Sequence, residues 1–224
     1  MDSKFLDRHR AGQVLAQELF SLRSAEQGMV LALPRGGVPI GYEIARTLNW
    51  PLDVWLVRKL GVPDQPELAM GAIALPNAQV LNTGLIEKLN ISESQIEAVL
   101  YIEKQELERR NQCYRQGQPQ PNIKGKTIIL VDDGLATGAT MQAAISSLKQ
   151  YHPASITVAV PIAAPNSLKF VEPQVDHIVC PIAPACMGSI SQWYVHFDPV
   201  ADEEVVTLLQ KAELDKAHSH ESTA

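Results

Sequence analysis

Short apolar runs, separated by segments with helical periodicity, constrain this chain more than any other feature of its sequence. Each run is too short for an ordinary helix, and a strand without polar alternation is buried on both faces. Strands of this kind that alternate with helices predict an α/β fold with a mostly parallel sheet flanked by helices. The predicted strands cover residues 30–33, 54–57, 128–131, 156–160 and 175–179.

Apolar residues at helical intervals predict the helices between these strands. One helix is longer than the rest, and Ser92 with Gln95 gives it the spacing of a capping box at its start. The predicted helices cover residues 11–22, 41–48, 92–115, 141–148 and a final segment from about residue 202.

We expect one domain over residues 1–217, followed by a disordered polar tail at 218–224. Within that domain, residues 58–71 carry two prolines and two glycines, which predicts a mobile loop.

Composition excludes several classes of function. A net charge of −6 over 224 residues argues against a nucleic-acid surface. Three cysteines, without a Cys-x-x-Cys spacing, indicate neither a disulfide framework nor a zinc site. They favour a reducing, cytoplasmic compartment. No apolar run approaches membrane-spanning length, so we expect no membrane span.

The most informative stretch follows the predicted strand 128–131, where two acids, Asp132 and Asp133, precede a run of small residues. Ligands of open parallel sheets bind at the carboxyl ends of strands, so this loop belongs at the site. Thr137 is a plausible N-cap for a helix that starts near Gly138. The first N–H groups of that helix would then be free to bind a phosphate.

The acid pair requires a further explanation, because carboxylates repel phosphate. A ribose ring separates the two charges, since its hydroxyls donate to Asp132 and Asp133 while its 5-phosphate reaches the turn. The alternative is an ordinary strand-to-helix turn with acidic residues. The apolar run, the acid pair and Thr137-Gly138-Ala139-Thr140 in register favour a sugar phosphate. No Lys follows Gly138, so the loop is not a Walker loop.

In its acid pair and the turn that follows, the chain resembles the type I phosphoribosyltransferase family. The stretch from the apolar run to Thr140 is similar to the signature of that family, and most similar to its adenine-type members. The resemblance covers about residues 5–209. It is supported by Leu33-Pro34-Arg35-Gly36-Gly37 after the first strand, Arg58-Lys59 after the second, Phe5-x-Asp7-Arg8 near the start and Trp193-Tyr194-x-x-Phe197 near the end.

The resemblance implies transfer of the 5-phosphoribosyl group from phosphoribosyl pyrophosphate to a nitrogen acceptor, with release of pyrophosphate. Asp132 and Asp133 would hold the ribose and favour its cationic state, and Arg58 and Lys59 would neutralise the leaving group. Mg²⁺ would bridge pyrophosphate and ribose, with Asp132, Asp133 and Asp198 as candidate ligands. The implied substrate-binding residues are Arg35, Gly36, Gly37, Gly134, Leu135, Ala136, Thr137, Gly138, Ala139, Thr140 and Trp193.

The chain departs from the family pattern at one position. Hypoxanthine-type members have an Asp before the Thr-Gly that serves the base nitrogen, and this chain has Ala136 there. Glu67 is a weaker candidate for proton transfer, by analogy with the adenine type. The resemblance also implies a small C-terminal hood over residues 181–198. Trp193, Tyr194 and Phe197 in this hood either stack on the acceptor or pack in the hood core.

Two other classes of function are also compatible with these residues. The first is a regulator that senses a nucleotide or phosphoribosyl pyrophosphate in the same pocket without catalysis. The second is a ribose-phosphate hydrolase or phosphorylase-like enzyme. The resemblance also implies a homodimer, and it does not specify the acceptor.

Overall fold

A computed structural model describes residues 4–25, 27–75 and 78–221, without the side chains of Glu67 and residues 218–221. The chain divides into two compact units. The first unit comprises the described residues up to 55, residues 121–138, and those from 152 on. The second comprises residues 56–120 and 139–151.

Strands and helices follow one another along the chain in this order. The strands are β1 (Gly28–Ala32), β2 (Leu52–Val54), β3 (Val57–Val62), β4 (Gln65–Ala74), β5 (Ala78–Leu81), β6 (Thr127–Val131), β7 (Ser155–Ala159) and β8 (His177–Val179). The helices are α1 (Arg8–Glu18), α2 (Gly37–Leu48), α3 (Thr83–Lys88), α4 (Glu93–Arg115), α5 (Ala139–Lys149), α6 (Pro165–Val171) and α7 (Asp202–Glu221). Short 3-10 helices cover Phe20–Ser24, Glu172–Gln174 and Ile190–Trp193.

A five-stranded parallel sheet, in the order β2-β1-β6-β7-β8, forms the centre of the first unit. Its middle strands are continuous apolar runs because both faces are covered, and residues such as Leu31, Ile129 and Val158 have no exposed surface. The predicted α/β fold with a mostly parallel sheet is confirmed. The chain order changes direction between β1 and β6, which places the switch point of the sheet there.

Helices α1, α2 and α7 pack together within the first unit. Asp7 caps α1, since its side chain accepts a hydrogen bond from Arg10 N at 2.7 Å. Asn49 ends α2 in the left-handed conformation, with φ of 56°. Helix α7 continues to Glu221, so residues 218–221 are helical rather than part of the predicted tail, and residues 222–224 lie outside the described part.

The second unit contains a three-stranded antiparallel sheet in the order β3-β4-β5, which the sequence did not predict. The expectation of a loop over residues 58–71 was wrong, because this segment forms the β3–β4 hairpin. The two glycines serve close backbone approach, since a Cβ on Gly61 would lie 2.6 Å from Pro66 O. The backbone of Glu67 belongs to β4, and its side chain lies outside the described residues.

Other boundaries agree with the sequence or differ by a few residues. Helix α4 has the predicted capping box between Ser92 and Gln95. The apolar run predicted as a strand over 54–57 is divided, because β2 ends at Val54 and β3 begins at Val57. Of the helices in the described residues, none combines the length and apolar character needed to cross a bilayer.

Truncation of a buried side chain in the strand before the acid pair should destabilise the protein. We expect Ile129→Ala to lower the free energy of unfolding by about 2–5 kcal/mol, because Ile129 has no exposed surface and its truncation leaves a cavity. The matched control is Ile102→Ala on α4, where the side chain is 65% exposed and we expect a change within about 0.5 kcal/mol. Urea unfolding followed by circular dichroism measures both, and equal losses would contradict the burial argument.

Candidate active site

Two adjacent acids occupy the carboxyl end of the central strand β6, beside the switch point of the sheet. Asp132 and Asp133 directly follow Val131, and both are partly buried. Asp132 Oδ1 accepts a hydrogen bond from the N–H of Asp133 at 2.8 Å, which fixes the first carboxylate against the backbone. The second carboxylate has a different partner.

Arg8, the first residue of α1, forms an ion pair with Asp133. Its Nε and Nη2 atoms lie 3.0 Å and 2.9 Å from the same carboxylate oxygen, Oδ2. The two side chains are only 11% and 15% exposed, so little water screens the pair. Arg8 thus neutralises one of the two acids from a position 125 residues away in the chain.

The C-terminal hood holds Arg8 in this position. The guanidinium carbon lies 3.8 Å from the ring centroid of Phe197, a cation–π contact, and Nη1 donates to the carbonyl of Asp198 at 2.8 Å. The hydroxyl of Tyr194 donates to the carbonyl of Asp133 at 2.8 Å. The hood and α1 therefore both contact Asp133.

The loop after β1 lies against the acid pair. Gly36 is pressed against Asp133, because any Cβ there would collide with the Oδ2 atom. A Cβ on Gly37 would lie 2.6 Å from the carbonyl oxygen of Val131. These two close approaches explain why glycines occupy both positions. The Pro34–Arg35 peptide bond in this loop is cis.

The turn after the acid pair is packed at its start and open at its end. Ile190 of the hood covers Gly134, where a Cβ would lie 2.8 Å from its side chain. Leu135 is buried, and its N–H donates to Ile162 O at 2.9 Å, so this predicted substrate contact has no N–H left for a phosphate. Ser167 donates its hydroxyl to Ala136 O. Thr137 is exposed.

The end of the turn differs in detail from the prediction. Gly138 has φ of 80°, a conformation that favours glycine. Helix α5 begins at Ala139, so Thr137 lies one residue too early to occupy the cap position that precedes the helix. Ala139 and Thr140 are the first residues of α5 and belong to the second unit.

Each acid offers one oxygen that the protein leaves open. Within the described residues, Asp132 Oδ2 and Asp133 Oδ1 have no hydrogen-bond partner. Side-chain oxygens and nitrogens that are both buried and unpaired do not occur in that part of the chain. The two open oxygens therefore reach solvent, and two neighbouring acceptors are available to a ligand.

The local electrostatics raise the pKa of both acids. Burial raises the pKa of Asp132 well above its ordinary value, and the adjacent Asp133 charge raises it further. Burial also raises the pKa of Asp133, although the Arg8 guanidinium opposes that increase. Keeping these buried carboxylates ionised therefore costs free energy. A ligand that donates hydrogen bonds to them would reduce that cost.

A family model described as the phosphoribosyl transferase domain matches residues 5–188, a range that includes Arg8, the acid pair and the turn. The chain belongs to the phosphoribosyl transferase family. The resemblance inferred from the sequence motifs is therefore confirmed.

Comparison with individual proteins supports the membership of this chain in the phosphoribosyl transferase family. A Mycobacterium tuberculosis protein with the provisional name phosphoribosyl transferase is 40% identical over 215 residues, which cover 96% of this chain and 48% of the relative. The chain thus spans about half the length of the curated relatives it matches. The crystal structure of the protein TT1426 from Thermus thermophilus is 37% identical with a TM-score of 0.84, and covers 93% of this chain and 98% of that one.

A shorter match concerns an enzyme with a named base. The uracil phosphoribosyltransferase of Ureaplasma parvum is 40% identical over 58 residues, which cover 25% of this chain and 28% of that enzyme. Because this match covers only a quarter of the chain, it does not identify the acceptor that this chain uses.

The remaining predicted site residues lie at separate positions in the structure, each with its own contacts or exposure. Arg35 is 45% exposed, and its Nη1 lies 3.6 Å from Asp202 Oδ1. Arg58 and Lys59 lie on β3 in the second unit, where Arg58 Nε lies 2.6 Å from Glu103 Oε2. Asp198 is exposed. The described residues contain no group of three or more potential ligands that could hold a metal, so Asp132, Asp133 and Asp198 are not gathered into one.

Two of the three hood aromatics pack against each other. Tyr194 is buried and lies 4.9 Å from Phe197 between ring centroids, so these two form the hood core around Arg8. Trp193 is partly buried and donates its Nε1–H to Met187 O at 2.7 Å. The stacking role of Trp193 on an acceptor stays a prediction.

Arg8 is the functional residue that the sequence prediction missed. The sequence motif from Phe5 to Arg8 does not assign a role to Arg8, because nothing near it in the sequence indicates a partner. The pairing of Phe5 with the segment near Tyr194 brings the two ends of the chain together, with Val195 N donating to Phe5 O at 2.9 Å. The direct contact between Arg8 and Asp133 in the structure identifies the acid that Arg8 neutralises.

We expect Asp132→Asn to raise the free energy of unfolding at pH 7.5. The pKa of the Asp132 carboxyl is raised in the folded state. Such a carboxyl lowers the free energy of unfolding of the protein as the pH rises from the unfolded pKa of about 3.9 toward the folded pKa. The cost is about 1.4 kcal/mol for each unit of increase, and the amide avoids it while still accepting from Asp133 N.

Urea unfolding of both proteins from pH 4 to pH 8 measures this effect. The advantage of Asp132→Asn should grow with pH and shrink toward pH 4, where the unfolded wild type also holds the proton. A variant that is less stable than wild type at pH 7.5 would contradict the electrostatic account.

Proposed function

We propose that this chain transfers the 5-phosphoribosyl group from phosphoribosyl pyrophosphate to a nitrogen acceptor and releases pyrophosphate. One observation carries the proposal: Asp132 and Asp133 each have one oxygen held by the protein and one open oxygen. Two adjacent open acceptors match the two neighbouring hydroxyls of a ribose, each of which donates one hydrogen bond.

The charges around the acid pair favour a sugar over a bare anion. Two carboxylates and the Arg8 guanidinium sum to one negative charge, which disfavours a phosphate directly on the acids. Neutral hydroxyls suffer no such repulsion. The ribose is therefore expected on the acid pair, with its charged groups directed away from it.

The 5-phosphate is expected at the open end of the turn. Thr137 supplies an exposed hydroxyl, and Gly138 lets the backbone approach a ligand. Ala136 and Gly134 add small residues on the same turn, while Leu135 serves as its buried anchor. Ala139 and Thr140 complete the phosphate contacts in this proposal.

The pyrophosphate is expected at the loop after β1. Gly36 and Gly37 precede and open α2, a helix of 12 residues whose N-terminus favours anions. Arg35 adds an exposed guanidinium that can neutralise a phosphate. Because Gly36 touches Asp133, this loop lies next to the ribose position, as a 1-pyrophosphate requires.

These positions suit a reaction in which pyrophosphate leaves C1 while the nitrogen nucleophile attacks. Positive charge develops on the ribose ring, and the nearby carboxylates stabilise it. Asp132 and Asp133 fix the ring by its hydroxyls, which orients C1 toward the acceptor. Arg58, Lys59 and Glu67 are proposed to act in leaving-group and proton chemistry.

Magnesium is part of the proposal as a companion of the donor. The described residues contain no group of three or more potential metal ligands. When bound, Mg²⁺ would neutralise pyrophosphate oxygens, which is its usual role beside substrate phosphates. A cytoplasmic location, a part in nucleoside salvage and a homodimeric state remain predictions.

Asp132→Asn provides the kinetic test. We expect kcat/KM for pyrophosphate release from phosphoribosyl pyrophosphate to fall about 100-fold, or about 2.7 kcal/mol, because the amide cannot stabilise the ring cation as a carboxylate does. The assay uses Mg²⁺ and a panel of purines, pyrimidines and small amines. The control is Asp176→Asn, whose side chain binds Ile156 N at 2.8 Å just before β8, and whose kinetics should match wild type.

The same panel separates the competing functions. Pyrophosphate release that needs a nitrogen acceptor supports the proposal. Tight binding of the donor with no turnover on any acceptor would indicate a sensor instead. Release of pyrophosphate at the same rate without any acceptor would indicate a hydrolase.

A further inference from the structure

Arg8 occupies the place beside the acids where a metal ion would otherwise be expected. Two neighbouring carboxylates at a strand end are good ligands for a divalent cation. Here the Nε and Nη2 atoms of Arg8 both contact Asp133 Oδ2, at 3.0 Å and 2.9 Å. A positive charge at this distance disfavours a second cation on the same carboxylate.

The surroundings of Arg8 make this cation a fixed part of the site. Phe197 covers one face of the guanidinium, and the carbonyl of Asp198 accepts from Nη1. Asp7 fixes the start of α1, so the Arg8 backbone is also anchored. A guanidinium keeps its charge at every relevant pH, unlike an amine or an imidazole.

Arg8 contacts only one oxygen of Asp133, so the acid pair can still accept hydrogen bonds from a neutral ligand. The Nε and Nη2 atoms of Arg8 both bind Oδ2 of Asp133. Oδ1 of Asp133 and Oδ2 of Asp132 stay open beside each other. Arg8 thus removes charge from the pair without removing both of its acceptors. The result is a site for hydroxyl donors with the charge of a single carboxylate.

We propose that Arg8 is a positioning residue that acts as the resident cation of the acid pair, so that Asp132 and Asp133 bind the ribose diol and not a metal ion. The inference rests on the proposed function for the identity of the diol. A divalent ion then enters only with the pyrophosphate. Arg8 does not touch the reacting atoms and acts through Asp133.

The test is a comparison of Mn²⁺ binding to the ligand-free protein, followed by the electron paramagnetic resonance signal of free Mn²⁺. Wild type should show no saturable binding up to the millimolar range. Arg8→Met should bind Mn²⁺ tighter by about tenfold or more, the scale on which an opposite charge changes the proton affinity of a carboxylate. Arg8→Lys keeps the charge and should behave as wild type.

Two controls separate this effect from a general change in surface charge. Arg10→Met removes an exposed guanidinium two residues away, one that binds Gln13 and not the acids, and should leave Mn²⁺ binding unchanged. The double variant Arg8→Met with Asp133→Asn should lose the gained site. Circular dichroism and urea unfolding report whether each variant folds.

The outcomes distinguish this inference from the proposed function. Failure of wild type to bind phosphoribosyl pyrophosphate by calorimetry would overturn the function while leaving the Mn²⁺ result intact. Donor binding by wild type, with no gain of Mn²⁺ affinity in Arg8→Met, would overturn the role of Arg8 alone. If Arg8→Met does not fold, saturable Mn²⁺ binding to ligand-free wild type at the acid pair, abolished by Asp133→Asn, would still overturn it.

Discussion

The ion pair between Arg8 and Asp133 is the interaction on which the arrangement of the site depends. Two adjacent carboxylates at the end of a buried strand repel each other, and burial raises the pKa of both. A guanidinium held between Phe197 and Asp133 offsets this repulsion on one acid. The pair can then remain beside the switch point of the sheet with one open oxygen on each carboxylate.

The same ion pair joins parts of the first unit that are distant in sequence. The start of α1, the strand end at β6 and the hood near Tyr194 meet at Asp133. The loop after β1 reaches the same carboxylate at Gly36, where only a glycine fits. Asp133 is therefore the residue at which α1, the hood and the loop after β1 converge.

Sequence patterns predicted the parts of the structure that depend on local signals. The buried strands β1, β6 and β7 were visible as continuous apolar runs, and α4 through its capping box. The β3–β4 hairpin was missed because Gly61, Pro63 and their neighbours read as a loop, whereas the glycines serve close strand contacts. The acid pair was found from its motif, but its partner Arg8 lies 125 residues away, and no local pattern connects them.

A crystal structure with phosphoribosyl pyrophosphate and Mg²⁺ tests the central claim most directly. The account predicts both ribose hydroxyls within hydrogen-bond distance of the open oxygens of Asp132 and Asp133, with the 5-phosphate at Thr137 and Gly138 and the ion pair to Arg8 intact. A donor bound elsewhere, or a metal ion seated between the two acids with Arg8 displaced, would contradict it.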